Sequence, residues 1–330
     1  MGTPRPRIVF PDADAAGVAL LDAGPRERLE AADLDLQLHF GTPANPQEWR
    51  ERIEAADGVL LGWPLPSGVL SNCPNVQVVS FTGTGVTDAV DLEEAHKRGI
   101  TVTNVTGYGD NAVAEHTVAL LLSLVRDIPA LDRSVRDGLW LSGEPALELQ
   151  GCRLGLVGFG GIGSRVAAIA KALGMEVVAW TRRPDPARAE AHGITFVPLE
   201  ELIQTSDVVS VHVALTGETH RLIDGEMLAM LKPGAVLINT ARGDVLDEEA
   251  VVAALLDGRL AGAALDVFID EPLRADHPLR SLDRVVLTPH VAFNTQLAAQ
   301  ALMDRAVQNL IDHFSGSLTS AVVPSPQAAR

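Results

Sequence analysis

The sequence predicts an α/β protein of two doubly wound domains, each a parallel sheet with helices on both faces. Three observations predict it. Short apolar runs alternate with Ala-, Glu- and Arg-rich helical stretches along most of the 330 residues, which is the pattern of strands joined by crossover helices. The alternation stops at a long apolar helix and restarts at Arg153, so two sheets are expected rather than one. The first strand of the second series also runs directly into a glycine-rich turn that opens a helix.

In chain order, the first series has strands at 7–10, 34–39, 58–61, 76–81 and 101–104, with helices near 13–31, 46–56 and 91–97. Residues 62–66 and Gly83-Thr84-Gly85 follow the third and fourth strands, at the sheet edge where ligands bind in open α/β folds. The apolar helix spans about 111–126, with Ala114, Val118, Leu121, Leu122 and Val125 at helical spacing. The stretch 129–149 breaks into shorter pieces. The second series has strands at 153–157, 176–180, 208–212, 235–239, 262–266 and 285–287, with helices at 163–173, 199–204, 225–230 and 248–257. A helix over about 295–313 is left after the second sheet is complete. If it crosses back onto the first domain, that domain is discontinuous and a cleft separates the two. The tail 324–330, rich in Pro, Ala, Ser and Gln, is expected to be disordered.

Composition excludes several classes of function. The net charge is −17, from 43 acidic against 26 basic residues, a field that repels polyanions, so no nucleic-acid partner is expected. No apolar run reaches the length of a membrane span, and the opening residues lack an apolar signal core, so a cytoplasmic protein is expected. Cys73 and Cys152 are too few and too far apart for a zinc site or a disulfide framework. No metal is expected.

Gly158-Phe159-Gly160-Gly161-Ile162-Gly163 sits between a strand and an Ala-rich helix. This is G-x-G-x-x-G in the context of a Rossmann dinucleotide-binding turn. Gly158 makes the turn, Gly160 lets backbone approach a pyrophosphate, and Gly163 lets the helix pack on the strand. The next strand ends at Thr181-Arg182-Arg183, where an NAD enzyme would place an acidic residue against the ribose. Threonine tolerates a 2′-phosphate and the guanidinium groups attract one, although the two arginines could also be solvated loop charges. NADP(H) is favoured as cofactor, with NAD(H) as the alternative.

Three further segments follow strands of the second series: Asn239 to Val245, Asp270-Glu271-Pro272-Leu273 and Thr288-Pro289-His290-Val291. Reduction of a 2-oxo acid needs its carboxylate held, its carbonyl polarised and a proton delivered. Arg242 suits the first two tasks through its planar fork of donors, and His290 suits the third because a histidine titrates near neutrality. Glu271 against the ring would orient the imidazole and favour its protonated form. Taken singly, each residue also has a structural reading as an ion-pair, loop or packing residue.

These segments, taken with Gly83 to Asp88, Ala112-Val113-Ala114-Glu115-His116, Arg136 to Trp140, Val211 to Leu215 and Ala264 to Phe268, occur in an order that resembles the D-isomer-specific 2-hydroxyacid dehydrogenase family. This family includes phosphoglycerate, glyoxylate/hydroxypyruvate and D-lactate dehydrogenases. The resemblance implies a Rossmann NAD(P)-binding domain at 107–293 inserted into a flavodoxin-like substrate domain made of 1–106 and 294–330, with a cleft between them. It implies hydride transfer between NAD(P)H and a small 2-oxo or D-2-hydroxy acid, with Arg242, Glu271 and His290 in the roles above. Gly161 and Ile162 should meet the pyrophosphate, and Thr240 and Ala241 the nicotinamide. Asp266 should meet the carboxamide, and His212 should lie in the cofactor site. Backbone N–H groups at Thr84 and Gly85 should receive the substrate carboxylate. A homodimer through the Rossmann domains is expected, with 111–126 near the interface. Phe293, where many relatives carry a small residue, could narrow the pocket or pack in the hinge. The alternative is an NAD(P)-sensing, corepressor-like binding protein without turnover.

Overall fold

The computed structural model describes residues 5–140, 143, 145–319 and 321–323; the tail expected to be disordered lies outside these. The chain divides into two compact units, Met1–Gly109 with Thr295–Arg330, and Asp110–Asn294.

The first unit carries strands β1 (Arg7–Ala13), β2 (Asp35–Phe40), β3 (Gly58–Leu61), β4 (Val78–Phe81) and β5 (Thr101–Thr103), with helices α1 (Ala15–Asp22), α2 (Pro25–Ala31), α3 (Pro46–Ile53) and α4 (Leu92–Arg98). The strand order is β2-β1-β3-β4-β5 and every pairing is parallel. That is the flavodoxin-like order, with its switch point between β1 and β3. The single helix expected at 13–31 is two helices. Gly24 takes φ +140°, a conformation closed to other residues, and Pro25 then restarts the helix at its first turn. Polar caps set other boundaries: Asn45 accepts from Glu48 N–H at 3.0 Å and Asp91 from Glu94 N–H at 2.9 Å.

One face of this sheet is covered by the closing helix, Gln296–Ser315. Its Met303, Ala306, Val307 and Leu310 are buried with Ile8, Phe10, Leu60 and Val78. Ser80, buried on β4, donates its hydroxyl to the carbonyl of Ala306 at 2.8 Å.

The second unit comprises α5 (Asp110–Val125), α6 (Ile128–Arg136), β6 (Arg153–Val157), α7 (Gly161–Ala172), β7 (Glu176–Trp180), α8 (Pro186–His192), β8 (Thr195–Phe196), α9 (Leu199–Thr205), β9 (Val208–Val211), α10 (Gly225–Ala229), β10 (Ala235–Asn239), α11 (Glu248–Leu256), β11 (Leu260–Leu265) and β12 (Val285–Leu287); the closing helix of the first unit is then α12. Its seven strands run in the order β12-β11-β10-β9-β6-β7-β8, all parallel. Chain direction across the sheet reverses between β6 and β9, so the glycine turn after β6 lies at the switch point. Both faces are buried, as a parallel sheet requires. Leu154, Leu156, Val208 and Ile238 pack under α5 and α7. Val209, Val211, Leu237 and Leu265 pack under α9, α10 and α11.

Candidate active site

The glycine turn is shaped by three different steric demands. Gly158 has φ +105°, and a Cβ there would lie 2.7 Å from the backbone carbonyl of His212. A Cβ on Gly163 would fall 2.6 Å from the carbonyl oxygen of Gly158, so the start of α7 rests directly on the turn. A Cβ on Gly160 would meet nothing within 4 Å, which leaves that side open to a ligand. No side chain caps the N-terminus of α7, so its first-turn N–H groups are available to an anion. Gly161 serves a neighbour that the sequence did not point to. The Asp110 carboxylate lies 1.8 Å from where a Gly161 Cβ would stand, and Arg165 pairs with it at 3.3 Å.

His212, at the end of β9, shares Nε2 with the hydroxyl of Ser210 at 2.9 Å. Its Nδ1 is buried without a partner. Burial pushes its pKa down to about 4, so the ring is neutral near pH 7. An orphaned ring nitrogen beside the glycine turn, an uncapped helix start and an open Gly160 fit a dinucleotide. On the adenosine side Thr181 is half-buried, while Arg182 and Arg183 are exposed. Arg182 is ion-paired with Glu218, whereas Arg183 pairs with no carboxylate among the described residues.

Three adjacent strands carry the proposed chemistry at their carboxyl ends. After β10, fully buried Asn239 accepts from Ala241 N–H and donates to the Arg242 carbonyl, both at 2.9 Å, which fixes the turn that presents Arg242. Thr240 shares its hydroxyl with that of Thr117 on α5 at 2.9 Å. A Cβ on Gly243 would stand 2.1 Å from the Phe268 carbonyl carbon, so the Arg242 turn lies against the loop after β11. In that loop Glu271 accepts from Phe268 N–H at 3.0 Å, and its other oxygen meets Nδ1 of His290 at 2.7 Å. With Glu271 accepting at Nδ1, Nε2 of His290 has no hydrogen-bond partner among the described residues. The side chain of His290 is 35% exposed. Arg242 bonds neither residue. Its guanidinium donates to the Ala241 carbonyl at 2.8 Å, and among the described residues it pairs with no carboxylate.

His290 has φ +52°, a left-handed conformation that costs a non-glycine residue roughly 1–3 kcal/mol. Asp266 holds it there. Its carbonyl accepts from His290 N–H at 2.7 Å. Its carboxylate, fully buried, accepts from the Thr288 hydroxyl at 2.6 Å, Val291 N–H at 3.0 Å and Ala292 N–H at 2.9 Å. These three donors fill three of the roughly four acceptor sites on a carboxylate. The ring of Phe293 stands edge-on to that of His290, with centroids 6.1 Å apart.

In the first unit, Thr84 and Gly85 follow β4. Thr84 is pinned through its hydroxyl to the Val105 carbonyl at 2.9 Å and through its own carbonyl to Asn104 Nδ2 at 2.7 Å. The backbone N–H groups of Thr84 and Gly85 donate to nothing among the described residues. After β3, Gly62 and Trp63 donate their N–H groups to Asp12 Oδ2 at 3.1 and 2.5 Å. Burial pushes the Asp12 carboxyl up to about 6 against the pull of those two bonds. Asp12, Asp110 and Glu218 are neighbours of these segments that the sequence did not point to, while His116 and Asn239 lie in segments singled out there without a role of their own. Only folding brings each to its partner.

The sequence pattern of the D-isomer specific 2-hydroxyacid dehydrogenase NAD-binding domain matches residues 118–292. A glyoxylate reductase of Thermofilum pendens is 40% identical over 306 residues, covering 89% of each chain. A hydroxypyruvate reductase of Blautia hydrogenotrophica is 35% identical, covering 84% of this chain and 88% of that one. Among solved structures, an NADPH-dependent glyoxylate/hydroxypyruvate reductase from Sinorhizobium meliloti superposes with a TM-score of 0.85 at 31% identity, over 98% of this chain and 99% of that one. The chain belongs to the D-isomer-specific 2-hydroxyacid dehydrogenase family. Its activity is accordingly that of an NAD(P)-dependent dehydrogenase working on the CH–OH group of 2-hydroxy acids. The fold class and the family resemblance read from the sequence both hold.

Proposed function

We propose that this protein reduces small 2-oxo acids of the glyoxylate and hydroxypyruvate kind to D-2-hydroxy acids, with NADPH preferred over NADH. The observation that carries the reading is the Glu271–His290 pair at 2.7 Å, on the same sheet edge as an arginine with no carboxylate partner among the described residues. Cofactor binding is assigned to the second unit, with Gly158, Gly160, Gly161, Ile162 and Gly163 at the pyrophosphate and His212 beside it. Thr240 and Ala241 border the nicotinamide, and Asp266 is assigned to its carboxamide end. When bound, the nicotinamide supplies the hydride.

The chain's own residues do the rest. Arg242 holds the carboxylate and polarises the carbonyl oxygen through charge-assisted bonds. His290 delivers the proton on Nε2 to the carbonyl oxygen as the hydride reaches carbon, and Glu271 keeps Nδ1 protonated and the ring aligned. In oxidation the neutral ring takes the hydroxyl proton back. NADPH preference is supported by Thr181 in place of an acid and by the guanidinium of Arg183, which pairs with no carboxylate among the described residues.

A panel of glyoxylate, hydroxypyruvate, pyruvate and phenylpyruvate with both nucleotides tests the reading. His290→Gln is expected to lower kcat by about 10²–10⁴-fold with NADPH binding retained. Arg242→Ala is expected to weaken 2-oxo-acid binding by roughly 10–100-fold, the worth of a charge-assisted pair. Clear NADPH binding with no turnover on any panel member would replace this reading with nucleotide sensing.

A further inference from the structure

We propose that His116 on α5 is a positioning residue for His290, acting through Thr288 and Asp266. The proposal rests on reading His290 as the proton donor, and it concerns a residue to which that reading gives no role.

The chain of contacts has a direction. Thr288 has one hydroxyl proton, and it is spent on Asp266 Oδ1 at 2.6 Å. The Thr288 oxygen must therefore accept from His116, whose Nε2 stands 3.0 Å away, which fixes the proton of His116 on Nε2. The same Nε2 lies 3.6 Å from Asp266 Oδ1. Among the described residues, His116 is the only basic side chain within ion-pair distance of that carboxylate. A carboxylate with no solvent exposure needs donors on every side. On one side Asp266 has the backbone of Val291 and Ala292, and on the other it has Thr288 backed by His116.

The consequence falls on His290 because Asp266 is what holds it. The backbone N–H of His290 donates to the Asp266 carbonyl at 2.7 Å, and the two residues that follow hang from the Asp266 carboxylate. The left-handed backbone of His290 relaxes unless these bonds over-determine it. The neighbouring residue of α5 does the same for the Arg242 turn, since Thr117 meets the hydroxyl of Thr240 at 2.9 Å. One turn of α5 thus supports two of the three loops that carry the chemistry. Small displacements of such loops are expensive in rate, because proton transfer requires the donor within hydrogen-bond reach.

The test compares His116→Phe, which keeps the ring and removes the donor, with His116→Gln, whose amide N–H can replace Nε2–H. His116→Phe is expected to lower kcat about tenfold with the KM for NADPH unchanged, and to raise the solvent isotope effect on kcat as proton delivery becomes slower. His116→Gln is expected to recover most of the loss. Thr288→Val removes the same relay from its other end. Combined with His116→Phe it should add little, and it carries the test if the phenylalanine variant fails to fold. A His116→Phe enzyme with wild-type kcat and isotope effect overturns the proposal, as does a loss that His116→Gln does not restore. His290→Gln assayed in parallel separates the two readings. If it is inactive while His116→Phe is normal, only the positioning role fails; if it turns over normally, the proton-donor assignment fails as well.

Discussion

Asp12 holds a charge that its surroundings oppose. It is 3% exposed, and burial raises its carboxyl from 3.8 to about 6, although Gly62 and Trp63 donate to it. The folded protein therefore binds this proton more tightly than the unfolded chain does. Between about pH 4 and pH 6 the unfolded chain has lost the proton while the native protein keeps it, so this residue's contribution to stability falls as pH rises through that window. The loss is complete above about pH 6 and amounts to roughly 3 kcal/mol. An asparagine in its place would not titrate. Reorienting the amide toward the two N–H groups adds an offset that does not depend on pH. The stability of Asp12→Asn relative to wild type should thus rise by roughly 2 kcal/mol between pH 4 and pH 7, measured by urea unfolding at the two pH values. A difference that stays constant with pH would mean that Asp12 titrates like an exposed carboxylate. Because Asp12 anchors the Gly62-Trp63 backbone beside Trp63, which is 58% exposed, its ionisation also bears on the loop after β3.

At the scale of elements, the loop after β7 separates two arginines that look equivalent in the sequence. Arg182 is engaged by Glu218, whereas Arg183 has no acidic partner among the described residues. On the NADPH reading, Arg183 meets the 2′-phosphate. Arg183→Ala should then lower the ratio of kcat/KM for NADPH to that for NADH about tenfold, close to one charge-assisted bond. Arg182→Ala should change it by no more than about twofold, as for an exposed ion pair. Equal effects of the two substitutions would return both arginines to one role. This division could not be read from the sequence, because Glu218 is 36 residues away from Arg182. What the sequence did carry was local. The strand-to-glycine-to-helix order located the turn at Gly158, and strand ends located Arg242, Glu271 and His290 on neighbouring loops. Two further elements carry local signals of their own. Asp185 capping Ala187 N–H, with Pro186 next and Gly193 left-handed at the end, marks α8 in full, and a nine-residue α6 occupies part of the stretch expected to break up. The braces were not legible for a different reason. Asn239, Asp266 and His116 act through hydrogen bonds whose partners are fixed by which strands lie side by side, and strand order is not written in any single segment.

At the scale of the whole molecule, the outstanding feature is apolar surface on a chain that carries a net charge of −17. Ile128 and Val135 on α6, then Leu139 and Trp140 just beyond it, are 51, 55, 53 and 92% exposed. If the family's expected homodimer forms, these side chains are apolar surface that a second copy would cover. The proposed occupant is the same segment of a second copy, in a homodimer joined through the cofactor-binding units. A two-fold interface is self-complementary, so a substitution on one copy is repeated on its mate. Val135→Glu with Trp140→Glu would therefore put four new carboxylates into one apolar contact, between chains that already repel each other, and burying them unpaired is costly. Wild type is expected to sediment at twice the chain mass and the double variant at the chain mass. The double variant should keep NADPH binding, since neither residue lies among those assigned to the nucleotide. A wild-type monomer, or a double variant that still sediments as a dimer, would mean that this surface serves some other contact.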